Sequence, residues 1–245
     1  MQFYVGLHQP SDARHFDRCM VSVNRLRDRK SDFIVGEWML DSAAFSELKL
    51  HHRYRHSPAE YAAQIRRWKS CGQLVAASAQ DYMCEPYILQ KTGLDVPTHQ
   101  RLTIERYDAL LAENTGVYIL PVLQGYEPAE YVQHIADYGQ RLAHGAWVGV
   151  GSVCKRQGDV RVIEKVLVAI RYTRPDLRLH GFGVKTTALK SIIVRDCLAT
   201  ADSMAWSSAA RYEDRNANDW REAAAFSERI ASQTIRPRQQ PMPLI

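Results

Sequence analysis

No run of the sequence approaches the ~18 to 20 consecutive apolar residues that would cross a bilayer. The opening residues, MQFYVGLHQPSDARHFDR, lack the basic-then-apolar layout of a secretory signal. Both absences lead to the expectation of a cytoplasmic protein with no membrane partner. Cysteine is sparse: Cys19, Cys71, Cys84, Cys154 and Cys197 stand singly, with no C-x-x-C spacing. This excludes a disulfide framework and the usual zinc or redox pair, and the thiols are expected to be reduced and mostly buried. No G-x-G-x-x-G follows the first apolar run, so the dinucleotide-binding signature of a doubly wound sheet is missing too. Neither a metal nor a cofactor is expected.

What is present is ample material for a core, with 46% of 245 residues hydrophobic. Basic residues exceed acidic ones by 32 to 27, and the pI is near 9.0. The excess is clustered: RLRDRK at 25–30, HHRYRH at 51–56, and Lys155-Arg156 each adjoin the end of a predicted element. Such placement suits a track for the phosphates of a polyanion, and equally a solvated helix surface.

Short β-branched or aromatic runs alternate with amphipathic ones, the pattern of repeated βαβ units. Strands are predicted at 2–7, 33–40, 73–79, 117–123, 147–151, 177–183 and 203–207. Between them, SPAEYAAQIRRWKSCG carries Ser57 as N-cap, Pro58 at the first helical position and Glu60 at the capping-box position. Further helices are read in HQRLTIERYDALLAENTG, EPAEYVQHIADYGQRL, GDVRVIEKVLVAIRYTRP and DWREAAAFSERIAS. Seven such units point to one TIM-like (β/α) barrel over residues 1–235, incomplete or irregularly closed because no eighth strand is visible, followed by a proline-rich tail at 236–245.

In such a barrel the chemistry gathers where strands end at their C-termini. Asp41 follows one apolar run, Gln80-Asp81 another, then Gln124-Gly125, Gly151-Ser152 and Gly181-Phe182-Gly183, and Asp202 precedes the last. Each acid could simply cap a helix or sit in a turn. Taken together they suit displacement at an anomeric carbon, where one carboxylate attacks and another moves protons. The small residues Ser42-Ala43-Ala44 would leave room for a flat ligand beside Asp41.

The order of these motifs resembles the tRNA-guanine transglycosylase superfamily. LDSAAFSEL resembles its Asp-Ser-Gly-Gly-Phe-Gln segment, SAQDYMCEP its Phe-Asp-Glu-Cys-Thr strand end, and PVLQG its Val-Gln-Gly. VGVGSVCKR, LHGFGVKTTAL and ADSMAWSSAAR are similar to its Gly-Gly-Leu loop, its Met-Gly-Val-Gly loop and its Phe-Asp-Cys-Val-Met-Pro-Thr-Arg segment, all in the same order between about residues 33 and 211. The resemblance implies a pentosyltransferase in which Asp202 is the nucleophile on the sugar C1′ and Asp41 the general acid/base. Asp81 would read the N1–H and 2-amino edge of a guanine-like base and Gln124 its carbonyl, with Ser42, Gly125, Gly151, Ser152 and Gly181 completing the base pocket. Lys155, Arg156, Arg211, Arg53 and Arg55 would meet nucleic acid, and Tyr82, Tyr126, Trp206 or Tyr212 could stack on a base.

The departures are informative. Ala43 and Ala44 stand where the family has two glycines, and Ser46 and Tyr126 replace its usual residues. The family's zinc segment, three clustered cysteines and a later histidine, has no counterpart, because Cys197 is isolated and no histidine follows His180. The compact zinc-free form looks most like the deazapurine DNA-modification branch, particularly its virus-encoded members. That implies DNA rather than RNA as the polymer, a 7-deazaguanine such as 7-cyano-7-deazaguanine as the small substrate, and the cytoplasm of a prokaryotic cell or of a virus-infected host. A homodimer or accessory modification proteins are open partners. A queuosine-related enzyme acting on RNA, a non-catalytic nucleic-acid-binding subunit and a glycosidase of small nucleosides stay as alternatives.

Overall fold

The computed structural model describes residues 1–154, 156 and 158–234. Nine strands pair in parallel in one sheet: β1 (Gln2–Leu7), β2 (Arg18–Ser22), β3 (Glu37–Asp41), β4 (Gln73–Ser78), β5 (Ile119–Leu120), β6 (Val122–Leu123), β7 (Trp147–Val150), β8 (Arg178–Gly181) and β9 (Leu198–Ser203). Their order is β5-β4-β3-β2-β1-β9-β8-β7-β6, so that the sheet would close where β6 meets β5. Those two strands are consecutive in the chain, with Pro121 alone between them. The carbonyls of Tyr118 and Leu120 accept from Ala77 and Ala79, on the β4 side, whereas those of Pro121 and Leu123 accept from Gly149 and Gly151, on the β7 side. One segment therefore serves both edges, and Pro121, which has no N–H to give, marks the one unsealed seam among the described residues. The fold is α/β, a nearly closed TIM-like barrel, as the alternation of elements predicts.

The barrel strand that the hydrophobic pattern does not announce is β2. RCMVS is five residues long and begins with a cation, so it offers little periodic signal. Its pairing with β1 (Val5 with Cys19) and with β3 (Cys19 with Trp38) makes it a strand. Two predicted strands need correction. The run at 33–40 starts only at Glu37, and the strand placed at 203–207 lies earlier, at Leu198–Ser203, with a helix beginning at Ala205. LATADS has small and polar residues of low strand preference, and its register with β1 and β8 decides the outcome.

The helices are α1 (Ala44–His51), α2 (Pro58–Trp68), α3 (Pro86–Thr92), α4 (Val96–Ala112), α5 (Pro128–Tyr138), α6 (Val160–Thr173), α7 (Thr186–Leu189), α8 (Ile192–Cys197), α9 (Ala205–Tyr212) and α10 (Trp220–Thr234). The expected capping box forms at α2: the Glu60 N–H donates to Ser57 Oγ at 3.2 Å and the Ser57 N–H to Glu60 Oε2 at 2.7 Å. Among the described residues, no α-helix links β1 to β2 or β2 to β3, only 3-10 turns at Pro10–His15 and Val23–Arg25. α10 returns to cover this thin wall. Phe226 packs on Phe3 with ring centroids 5.9 Å apart, and Trp220 stacks on His15 at 4.0 Å; burying the Phe226 side chain contributes roughly 2 kcal/mol. Among the described residues, no helix is long and apolar enough to cross a membrane. The tail at 236–245 lies outside the described residues.

Inside the barrel, Tyr4, Met20, Met39, Ala76 and Leu120 form one buried layer. At its N-terminal end Glu37 is met by the Tyr4 hydroxyl and by Arg18 Nε, the latter at 3.1 Å. The apolar layer thus separates a compensated charge at the bottom from the opposite mouth.

Candidate active site

Asp41 ends β3, Asp202 is the penultimate residue of β9, and Asp81 lies just past β4. These are C-terminal strand ends, and the three acids line one cavity of about 460 Å³ at the barrel mouth, together with Gly151 and Ser152. Asp202 is therefore on a strand rather than in the segment before one. Within the hydrogen-bonded register its neighbour across β1 is Tyr4.

The two acids on the β3–β4 side are held as weak acids. Asp41 Oδ2 accepts the Ala43 N–H at 3.1 Å. Enclosure in the mouth, followed by the negative charge of Asp202, pushes its pKa up to about 6, against the opposing hydrogen bonds from Ala43 and Ser22. Asp81 is buried and goes further, to about 7. Burial is the main cause, the Gln124 amide opposes it, and the charges of Asp41 and Glu85 add to it. Among the described residues, no cation ion-pairs with either.

Asp202 is anchored differently. Its Oδ1 accepts the Gly183 N–H at 3.0 Å and lies 3.3 Å from His180 Nε2. Gly183 has φ +61°, a left-handed turn that a side chain would strain. His180 is fully buried, with Nδ1 2.8 Å from Thr200 Oγ1, and that oxygen accepts the Trp147 indole N–H at 2.8 Å. An indole only donates, which leaves the Thr200 hydrogen free for Nδ1 of the imidazole. With Thr200 as donor, the imidazole proton sits on Nε2, facing Asp202.

Behind the cavity wall, Gln124 donates through Nε2 to Asp81 Oδ2 and accepts from Ser152 Oγ at 2.7 Å. The same serine oxygen accepts the Cys84 N–H at 2.8 Å and lies 3.1 Å from Glu85 Oε2. A Cβ on Gly151 would fall 2.1 Å from Gln124 Nε2, so only glycine lets the amide reach Asp81. Ala43 and Ser152, at φ +66° and +54°, both adopt the left-handed conformation beside the acids. Each costs about 1–2 kcal/mol for a residue with a side chain.

Against known proteins, the model of the family DpdA, described as DeoxyPurine in DNA protein A, matches residues 1–222. That span contains every strand and all three acids. The chain belongs to this family. The match supports the deazapurine DNA-modification branch over the RNA-directed one, and a transglycosylase-like enzyme with DNA as its polymer. Among curated proteins, none matches the sequence.

The remaining candidates divide by position. Ala43 and Ala44 line the cavity, while the Ser42 side chain turns away, 3.4 Å from the Tyr54 hydroxyl, and its N–H donates to Ser78 Oγ at 2.9 Å. Gln124 sits in the layer behind Asp81, fully buried. Gly125 faces α5, where a Cβ would meet Glu130 and Tyr131, and Gly181 faces Val184 and Leu198; neither borders the cavity. Arg53 and Arg211 are exposed, whereas Arg55 is engaged with Glu47 at 2.7 Å. Arg156 is buried, its guanidinium 3.7 Å above the Tyr126 ring and its Nε donating to Ser152 O at 3.0 Å, so it braces the loop after β7. Lys155 lies outside the described residues.

Of the aromatics, Tyr82 and Trp206 are buried in the core and Tyr212 is 90% exposed. The rings that do line the cavity are Phe45, which falls in the LDSAAFSEL segment, and Phe182, which follows Gly181; neither was expected to stack on a base. His8 and His180 were missed as well, and Arg25 was read only as part of the basic run at 25–30. A histidine between apolar residues in LHGFG was the available signal for His180; His8 directly follows β1 and carried no signal of its own.

Proposed function

We propose that the chain is a DNA-guanine transglycosylase, with the barrel as its one catalytic domain, that exchanges guanine in DNA for a 7-deazaguanine such as 7-cyano-7-deazaguanine. The observation that carries this reading is the convergence of Asp41, Asp81 and Asp202 on one cavity, each with different hydrogen-bond partners. Carboxyl groups in different surroundings take different roles.

Asp202, oriented by Gly183 and His180, attacks C1′ of the deoxyribose. The C1′–N9 bond breaks, an ester bond to Asp202 forms, and Asp41 gives its proton to the departing guanine. The incoming base then loses a proton to Asp41 and its nitrogen attacks C1′, releasing the Asp202 carboxylate. Two displacements retain the configuration at C1′. A pKa near 6 leaves Asp41 able both to give and to take a proton close to neutrality.

Asp81, once ionised, accepts the N1–H and 2-amino donors that guanine and its 7-deaza analogues share, and Gln124 holds it in place. Ala43 and Ala44 keep the wall beside Asp41 low, and Phe45 or Phe182 offers a face to the base. A base in a duplex has to leave its stack to enter, which favours flipped or single-stranded substrate.

The test is Asp202→Ala assayed for release of labelled guanine from DNA and for a denaturant-resistant protein–DNA adduct. The reading expects both to vanish, the exchange rate falling on the order of 10⁴-fold. A variant that still exchanges bases at the normal rate would remove the nucleophile and with it the mechanism. Parallel reactions on DNA and on tRNA separate the polymer classes.

A further inference from the structure

The mouth of the cavity carries a feature that the three acids do not use. His8, Asn24 and Arg25 line it on the β1–β2 side, the same wall that holds Asp202 and Met204. Arg25 Nη2 lies 3.3 Å from His8 Nδ1, and His8 Nε2 lies 2.7 Å from Ser207 Oγ. A guanidinium has no acceptor, so Nδ1 receives and the imidazole proton sits on Nε2, donated to Ser207. His8 is therefore neutral, and its pKa is lowered by burial, then by the charges of Arg25 and Arg211. Trp206 fixes the arrangement: its ring meets His8 edge-on at 5.6 Å and its indole N–H donates to Gly6 O at 2.8 Å.

One cation, Arg25, thus adjoins a neutral histidine at the rim. Several arginines elsewhere are matched by acids, as with Arg55 and Glu47, Arg141 and Asp108, and Arg174 and Asp176, but none of these lines the cavity. Among the described residues, no carboxylate ion-pairs with Arg25 or Arg211, although three acids occupy the cavity below. Uncompensated positive charge above a negatively charged floor fits a ligand with its anion at one end only. A nucleotide has that shape: its phosphates hang on the sugar whose C1′ Asp202 would attack, so they emerge along the Asp202 wall.

We infer that Arg25, braced by His8, seats a DNA phosphodiester flanking the target nucleotide. The inference rests on the transglycosylase reading for the identity of that nucleotide. Arg25 belongs to the basic run at 25–30 and lines the mouth, whereas Arg55 and Arg156 are held by protein partners. The seat would fix which side of the strand enters, and hence the face of the sugar shown to Asp202.

The experiment measures binding of a single-stranded oligodeoxynucleotide across a salt series, with a single neutral methylphosphonate placed in turn at each linkage beside the target guanosine. Arg25→Ala is expected to bind about tenfold more weakly at low salt, with a log K against log salt slope shallower by roughly 0.7, the loss of one phosphate contact. Arg25→Lys should keep most of the slope, which separates charge from folding, and Arg141→Ala should leave it unchanged. One of the methylphosphonates should reproduce the Arg25→Ala loss in the wild type and cause no further loss in the variant. An unchanged slope in Arg25→Ala, or losses that add at both linkages, would overturn the seat. Wild-type protein that shows the full Arg25 effect but exchanges no base on any DNA would overturn the transglycosylase reading and leave the seat standing. Normal exchange without an Arg25 effect would do the reverse.

Discussion

The two ends of the barrel treat their acids in opposite ways. At the N-terminal end, Glu37 is answered by the Arg18 guanidinium at 3.1 Å and by the Tyr4 hydroxyl. At the C-terminal mouth, Asp41 and Asp81 have amides and hydroxyls for company but no cation, and their pKa values rise to about 6 and about 7. The strained residues Ala43 and Ser152 lie at the mouth too. One end is arranged to lower the energy of the fold, and the other keeps reactive groups at a cost in stability, the pattern expected where function competes with packing.

The contrast can be broken most severely at Asp41. Asp41→Asn should lower base exchange on the order of 10³-fold in steady-state assays while leaving DNA binding close to normal. The wild-type pH–rate profile should show an ionisation near 6, absent from the residual activity of the variant. At Asp81 activity and stability should move in opposite directions. Asp81→Asn is expected to raise KM for free guanine roughly 100-fold, because an amide cannot accept both donors of the base edge. Asp81 has a folded pKa above its unfolded value, so its contribution favours the fold fully below about 4 and is lost as pH rises through about 7. Chemical denaturation at pH 8 should therefore find Asp81→Asn more stable than wild type, by up to a few kcal/mol, with the gap closing at pH 5.

Smaller effects sharpen the other side of the comparison. Glu37→Ala leaves the Tyr4 hydroxyl without its acceptor, and urea unfolding should show a loss of about 2 kcal/mol with kcat per folded molecule unchanged. Smallest of all, Ala43→Gly relieves a left-handed alanine at φ +66° and should add about 1 kcal/mol of stability. A destabilised Ala43→Gly would mean that the methyl group packs more favourably than its backbone geometry suggests.

Much of this was legible from the chain. Asp41 and Asp81 were visible because each follows an apolar run, the place where a parallel strand delivers its end. The glycines after Asp-Ser in the transglycosylase superfamily become intelligible once Ala43 is seen in the left-handed region, where glycine carries no penalty. Asp202 was located by motif order while its strand was misplaced, since LATADS is too small and polar to signal a strand. β2 was invisible because RCMVS is short and opens on a cation, so the basic run at 25–30 could not be placed at the mouth, where Arg25 and His8 meet once β1 and β2 lie together. Arg156 misled through its charge, because a guanidinium over Tyr126 looks no different in sequence from one in solvent.

By itself the sequence determined the alternation of strands and helices, the acids at strand ends and the lack of clustered cysteines, all of which are local matters of pattern and residue type. The tertiary structure alone decided that residues 41, 81 and 202 share one cavity, that Pro121 divides a strand between two edges, and that His180 Nε2 lies against Asp202. Those outcomes depend on barrel curvature and on burial, and both arise from contacts between residues distant in the chain.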